Sequence, residues 1–458
     1  MDCEVIVVGG GIGGLAVAAL LSARGVDVCL FERQSQPGGC VANFKHLGYS
    51  FEPTSGLYSG WEPGGIYETI FSELRARAPE VRQLTPSYMV RLPDQSDIAL
   101  SDTLEEVEAE LRRAFPECDQ AAINFYRNLA DSKLDEPIGA YLSNCSTRFL
   151  SFIDAQLQTL IQSTSDNCSY ARAVNALSSP LRGLWTIRSG GQALANALAD
   201  SLKQSGGRLR LDTPVLRLAY GSDGAPIGVD LLSGERVVAK RAIVSNLTVW
   251  DTYGKLIGPG RTPPAVSREL RNLHAWGNYL LFLGMDTHAA KRLQANTTLV
   301  LSDWENGTAQ EIDQKLLIFA AAPDWDPRAP EGKLAVTVTT YTEAEDWFSF
   351  HDDESSHERQ DQAALETVWA RLHQAMPELG DSVEVIETST PRTVYETTRR
   401  KFGMTGKVTS TPGDLFTAEN FGTTVFPNVL MIGDTVCKGW GLEGICSSAV
   451  SLANKVTK

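Results

Sequence analysis

Long apolar runs are missing from this chain of 458 residues. No stretch of about 18–20 consecutive apolar residues occurs, so no helix is expected to span a membrane. Basic charge is also short: 41 Lys and Arg stand against 56 Asp and Glu, a net charge of −15 at pH 7. Nucleic acids are bound through basic patches, so a nucleic-acid partner is not expected. The same deficit argues against simple electrostatic docking on anionic lipid, although peripheral membrane contact through a small apolar collar stays open. None of the eight cysteines forms a C-x-x-C pair, which argues against a zinc site or a dithiol redox centre. The six histidines show no ligand spacing on a clear helix, and no metal is expected. Neither a P-loop nor a nucleophile-elbow serine is present, and no repeat recurs at solenoid periods.

What remains is an ordinary globular composition, 43% apolar and 21% charged. A single hydrophobic core rarely exceeds about 250–300 residues, so two intertwined domains are expected. Met1-Asp2-Cys3 runs directly into a strand, which reads as a cytoplasmic chain without a signal peptide, its cysteines reduced. The acidic run Asp352-Asp353-Glu354 reads as a solvated loop.

The chemistry begins at the first strand. Glu4 to Val8 is a β-branched run suited to a buried parallel strand. It leads at once into Gly9-Gly10-Gly11-Ile12-Gly13-Gly14, in which Gly9, Gly11 and Gly14 satisfy G-x-G-x-x-G. The first glycine allows the tight turn, the second lets backbone approach a pyrophosphate, and the third lets helix pack closely on strand. The helix expected over Leu15 to Arg24 offers its N-terminal N–H groups and positive dipole end to phosphate. Gly25 ends it, and Val26 to Phe31 reads as the second strand. Glu32 follows, 21 residues after Gly11. A carboxylate there accepts hydrogen bonds from a ribose and repels a 2′-phosphate. No second fingerprint of this kind occurs, so a separate nicotinamide domain is not expected.

Gly38-Gly39 follows Glu32 after a five-residue gap, and Pro427 to Asp434 reads as a buried strand ending in Gly433-Asp434. Gly439-Trp440-Gly441-Leu442-Glu443-Gly444 then opens a last helix. Together these motifs resemble the extended fingerprint of the amine oxidase and phytoene desaturase superfamily of FAD enzymes. The resemblance implies an α/β protein with a Rossmann-type FAD-binding domain and an interleaved α+β substrate domain. It implies that Gly38 and Gly39 pass close to the dinucleotide, that the backbone near Val215 meets the adenine, and that Asp434 approaches the ribityl and pyrophosphate region. It also implies that the last helix directs its N-terminus at the flavin. Candidate cofactor residues are Gly9, Gly11, Ile12, Gly13, Gly14, Glu32, Arg33, Gly38, Gly39, Cys40, Val215, Gly433, Asp434, Leu442, Glu443 and Gly444. Cys40 and Cys437 are candidates for a covalent thioether to the flavin. Cys437-Lys438-Gly439-Trp440 departs from the Pro-Gly-x-Gly usual in this loop, which leaves the shape of the flavin pocket open.

Gly48 to Gly56, Ile243 to Leu256, Asp326 to Lys333 and Thr390 to Thr393 narrow the resemblance to the carotenoid cis–trans isomerase branch of the phytoene desaturase family. The FAD-binding part is expected over 1–65, 182–255 and 420–458, and the substrate part over 66–181 and 256–419. Within them, Leu209 to Leu218 reads as one strand, and Arg236–Ala239 and Ala242–Asn246 as two. Helices are expected over Thr103–Phe115, Phe149–Gln162 and Ala363–Met376. Trp61, Trp185, Trp276, Tyr279, Phe282, Trp325 and Trp347 are candidates to line an apolar tunnel to the flavin, each competing with plain core packing. The resemblance implies an FAD-dependent enzyme acting on a long apolar isoprenoid polyene. Reduced flavin would support cis–trans isomerisation; oxidised flavin would support desaturation, with a partner such as a quinone as electron acceptor. Glu443 is the candidate acid near the flavin, against its reading as a helix-start residue. An amine or amino-acid oxidase with Arg188 or Arg392 holding a carboxylate is an alternative, as is a non-catalytic flavin or carotenoid carrier.

Overall fold

Valines five and seven point one way from the first strand, and its neighbours point the other. In the computed structural model, which describes residues 2–129, 138–166, 168, 170–274, 276–290, 293–304, 315–348, 353–405, 425–437, 439 and 441–458, this strand is Asp2–Val8. Val5 and Val7 pack under the helices Ile12–Ala23, Gly191–Gln204 and Gly441–Thr457. Cys3, Ile6 and Val8 pack on the opposite face with Tyr253, Leu256 and Val429. A strand buried on both faces needs an unbroken apolar run, and this one has it.

The strand is paired in parallel with Val28–Phe31 on one side and with Arg236–Ser245 on the other. Arg208–Arg210 extends the sheet beyond Val28–Phe31, and Val429–Met431 joins the end of Arg236–Ser245. The beginning, middle and end of the chain therefore meet in one parallel layer. Val215–Tyr220 and Pro226–Leu231 complete this seven-stranded sheet as an antiparallel meander on Arg236–Ser245.

Two strand readings are corrected. The span 209–218 is not continuous: Asp212 takes a positive φ of 49°, and Pro214 follows without an N–H to donate. Its two halves, Arg208–Arg210 and Val215–Tyr220, go to opposite edges of the sheet. Conversely, 236–239 and 242–246 form one strand, whose register against the first strand shifts between Cys3 and Val5.

The second seven-stranded sheet runs in the order 383–389, 277–286, 333–342, 315–320, 297–301, 88–91, 97–100. Every pair is antiparallel except 297–301 with 88–91. Leu281, Leu283, Val336 and Val338 face the helix Glu354–Ala375. That helix begins earlier than its apolar spacing suggests, because Asp353 caps it by accepting from the Ser356 N–H at 3.3 Å. Asp353 is thus a cap rather than part of a solvated loop; Asp352 and His351 lie outside the described residues, as does the expected boundary at 419/420. Helices Leu104–Ala114, Asp119–Asn128, Thr147–Ile161 and Tyr170–Leu177 bury Val107, Leu111, Phe149 and Phe152 against Val90, Leu299 and Phe319. No helix among the described residues is long and apolar enough to cross a membrane.

Burial also acts on the thiols of the first sheet and the last helix. It pushes Cys3 and Cys446 up to about 12, and Cys29 up to about 11. These folded values lie above the roughly 8.5 of an unfolded thiol, so the stabilisation is complete below that pH and is lost as pH rises toward them. Thermal unfolding followed by circular dichroism is expected to show a melting temperature that falls steadily above about pH 9. A flat profile to pH 11 contradicts buried neutral thiols.

Candidate functional site

Where the loops of the first sheet meet the second sheet lies one cavity of about 1270 Å³. Pockets for a single small ligand usually run to about 300–1,000 Å³, so this one has room for more than one molecule. Gly9, Gly11, Ile12, Gly13, Glu32, Arg33, Gly38, Gly39, Cys40, Val215, Gly433, Asp434 and Leu442 all line it. Residues scattered over more than four hundred positions are therefore brought together because their strands are neighbours in one parallel sheet.

At one end the wall is nearly bare backbone. Gly38 donates its N–H to Gly10 O at 2.8 Å and has a φ of 129°, a conformation that glycine adopts without strain. Gly39 lies so close that a Cβ on it would stand 3.3 Å from the Gly11 Cα. Glu32 accepts from the N–H of Gly10 at 2.7 Å and of Gln34 at 2.8 Å. These bonds orient the carboxylate and leave each oxygen a further lone pair for a ribose hydroxyl. Arg33 Nη1 is buried without a hydrogen-bond partner. Burial, with Arg399 nearby, pulls its guanidinium down from the ordinary value, a cost that an anion in the cavity would remove. A bare cradle, an oriented carboxylate and an orphaned guanidinium nitrogen fit a dinucleotide.

Three expected residues do not line the cavity. Gly14 is turned into the sheet, where it lets the helix Ile12–Ala23 approach the Gly9 carbonyl. Gly444 is buried under Gly439. Glu443, the candidate acid, is directed away: its Oε2 accepts from Arg182 Nη2 at 3.1 Å, and its stem packs against Gly60. The reason is helical geometry. Gly441 and Leu442, at i, i+4 and i, i+3 spacing from Ile445, face the cavity with it, and Glu443 and Gly444 between them fall on the other side of the helix. Lys438 and Trp440 lie outside the described residues. The positive end of the long helix Gly441–Thr457 still meets the cavity through Gly441 and Leu442.

The tunnel aromatics are also corrected. Of the seven candidates only Phe282 lines the cavity among the described residues. Tyr279 stacks on Trp347 at 5.5 Å beneath the helix Glu354–Ala375, because odd and even positions of its strand face opposite ways. Trp61 stacks on Tyr67 at 4.1 Å. Phe31, Phe44, Tyr58 and Tyr341 supply rings to the wall instead, and Leu280 and Leu317 supply its aliphatic part. Arg188 is paired with Glu80 at 2.8 Å outside the cavity. Arg392 lines it, already paired with Glu354 at 2.6 Å and Glu396 at 3.2 Å.

Several residues were not singled out from sequence. Asn246 donates to Gly9 O at 3.4 Å and lies against Gly11 and Gly13. Its position directly after a buried strand is the signal that could have found it. Arg400 grips Asp434 with both terminal nitrogens, at 2.7 and 3.3 Å. Burial alone would lower this guanidinium, but Asp434 and Cys40 beside it raise it, so the charge is held. Cys40 lines the same corner, its thiol pushed up by burial against the opposing charge of Arg400. Arg400 follows the helix Pro391–Thr398, which starts with a reciprocal cap between Thr390 and Thr393. Thr390→Ala is expected to cost about 1 kcal/mol, read by urea unfolding; no change in midpoint would mean that the cap contributes nothing.

Two of the quoted motifs also meet. Arg328 lies buried between Glu52 at 2.7 Å and Asp326 at 2.6 Å, and donates to Ile187 O at 3.1 Å. Asp326 accepts from the Ser189 N–H at 3.0 Å, and Glu52 accepts from Tyr58 and Thr54, both of which line the cavity. No sequence spacing links positions 52 and 328.

Residues 12–456 match the family model described as flavin containing amine oxidoreductase. The chain is 26% identical to the chloroplastic prolycopene isomerase of Arabidopsis thaliana over 99% of its own length and 82% of that protein. It is 26% identical to a zeta-carotene-forming phytoene desaturase of Myxococcus xanthus over 73% of its length and 71% of that protein. An oxidoreductase from Methanosarcina mazei has a similar structure, with a TM-score of 0.73 at 16% identity, covering 99% of this chain and all of the other.

Proposed function

The chain belongs to the flavin-containing amine oxidoreductase family, and from that premise we propose that it is an FAD enzyme acting on a long apolar isoprenoid polyene. One observation carries this reading: the glycine cradle and the apolar wall of the second sheet line the same cavity. The similarity to a prolycopene isomerase over 99% of the chain supports the polyene class. When bound, FAD supplies hydride or electron transfer to and from a conjugated system.

The chain supplies the rest. Gly9, Gly11, Gly38 and Gly39 would admit the pyrophosphate, Glu32 would take ribose hydroxyls, and Val215 would lie on the adenine side. Arg33 and the N-terminal end of the helix Gly441–Thr457 hold negative charge. Arg400 fixes Asp434 in place at the corner of the cavity. Leu280, Phe282 and Leu317 exclude water and hold an extended chain along the strands. Glu443 is assigned no proton transfer, because Arg182 occupies its carboxylate away from the cavity.

Isomerisation and desaturation are separated by one experiment. The flavin-loaded protein is incubated without oxygen with poly-cis carotenes and with carotenoid alcohols, reduced by dithionite in one arm and oxidised with a quinone in the other. A product of unchanged mass in the reduced arm identifies an isomerase. Loss of two hydrogens in the oxidised arm identifies a desaturase. An unchanged substrate in both arms would defeat the polyene assignment and favour a carrier, or an oxidase of other substrates if amines yield peroxide.

A further inference from the structure

The cavity wall on the second sheet is apolar at Leu280 and Leu317, and Thr339 stands in register between them. The Thr339 hydroxyl has no hydrogen-bond partner, although the residue is 9% exposed. Gln162, which lines the same cavity, is 8% exposed and its Oε1 is likewise without a partner. The polar neighbours are satisfied. Tyr341 donates to Thr159 O at 3.0 Å, Thr337 to Glu52 O at 2.9 Å, and Thr405 to Asn278 at 2.7 Å. The Gln162 amide is not free to flip, because its Nε2 donates to the Thr405 carbonyl at 3.1 Å, and a carbonyl only accepts. Its oxygen is therefore an acceptor, on a residue that lines the cavity.

Buried polar atoms in native proteins are almost always paired with protein, water or ligand, so two open ones on a largely apolar wall are groups that a polar atom of a ligand can satisfy. A carboxylate would repel the Gln162 oxygen. A ketone could accept from Thr339 and would still leave Gln162 open. A hydroxyl can donate to one and accept from the other.

We infer that Gln162 and Thr339 form a subsite for an alcohol, so that the enzyme selects a polyene bearing a hydroxyl over the matching hydrocarbon. This rests on the polyene reading above. Gln162 is placed for it by the end of the helix Thr147–Ile161, where it adopts a left-handed conformation with φ of 53° and caps the helix through its own N–H.

The test uses zeaxanthin and β-carotene, which share a skeleton and differ in their hydroxyls. Each is titrated into the flavin-loaded full chain in identical micelles, followed by the carotenoid absorption band. The wild type is expected to bind zeaxanthin at least about tenfold more tightly, since a site built for a hydroxyl discriminates strongly against its absence. Thr339→Val and Gln162→Leu are each expected to shrink that preference, and the double variant to abolish it. Flavin content should stay level in both variants; the melting temperature should stay level or rise in Thr339→Val, which removes an unpaired buried hydroxyl, and fall slightly in Gln162→Leu, which also loses the bond to the Thr405 carbonyl. Equal binding of both carotenoids by the wild type, or a preference that survives in the double variant, overturns the subsite while the polyene reading stands. Binding of neither overturns the subsite, and the polyene reading is then decided by the carotene incubation above.

Discussion

Gly14→Ala is expected to yield a protein that no longer retains flavin through purification. A Cβ at this position would lie 2.2 Å from the Gly9 carbonyl oxygen, far inside any contact that real side chains make. The obstacle is backbone, so no rotamer relieves it. Either the helix Ile12–Ala23 lifts from the sheet or the Gly9–Gly13 turn is pushed outward. Both movements displace the N–H groups that line the cavity. Overpacking of this kind costs about 1–3 kcal/mol, which alone weakens binding by roughly tenfold to a hundredfold. The measurement is flavin absorbance per protein, with circular dichroism to confirm that the fold persists. Gly11→Ala is the milder companion, since its Cβ meets the movable end of Asn246 at 2.8 Å. Full flavin content in Gly14→Ala would show that the cradle lies elsewhere.

The second large effect is expected at the buried Glu52–Arg328–Asp326 cluster. Burial pulls the Arg328 guanidinium down, and Glu52 and Asp326 reverse this, so the charge persists in the interior. Arg328→Leu leaves two buried carboxylates, Glu52 and Asp326, without a counter-charge and is expected to cost about 3–5 kcal/mol. Glu52→Gln leaves Arg328 paired with Asp326 and is expected to cost less, about 1.5–3 kcal/mol, through the lost charge-assisted hydrogen bond. The double variant should lose less than the sum, because removing Glu52 relieves part of the uncompensated charge that Arg328→Leu leaves. Urea unfolding of the four proteins completes the cycle. Strictly additive losses would mean that the two residues act separately. Glu52 also takes hydrogen bonds from Thr54 and Tyr58 on the cavity wall. Glu52→Gln should therefore change substrate affinity as well as stability, whereas Lys203→Ala, at a solvent-facing pair, should change neither by more than about 1 kcal/mol.

The amino-acid sequence by itself determined the parallel layer and the cradle. A buried strand, a glycine turn, a helix and a closing acid are all local, and each follows from backbone sterics and the needs of a phosphate within some thirty residues. The last strand and its Gly433-Asp434 end were legible for the same reason. Other features needed the folded chain. Nothing local says that Asp212 and Pro214 divide 209–218 between opposite sheet edges, because that depends on which neighbours each half finds. Helical spacing alone left the direction of Glu443 open; the docking of the last helix against Arg182 and Gly60 turned it from the cavity. Tyr279 and Phe282 read alike in sequence, yet a strand sends them to opposite faces, and only pairing with 333–342 decides which face meets the cavity. Arg328 with Glu52, and Gln162 with Thr339, are far apart along the chain. Their placement is a property of packing between layers, where the free energy of a buried polar atom depends on its partner, not on its position in the sequence.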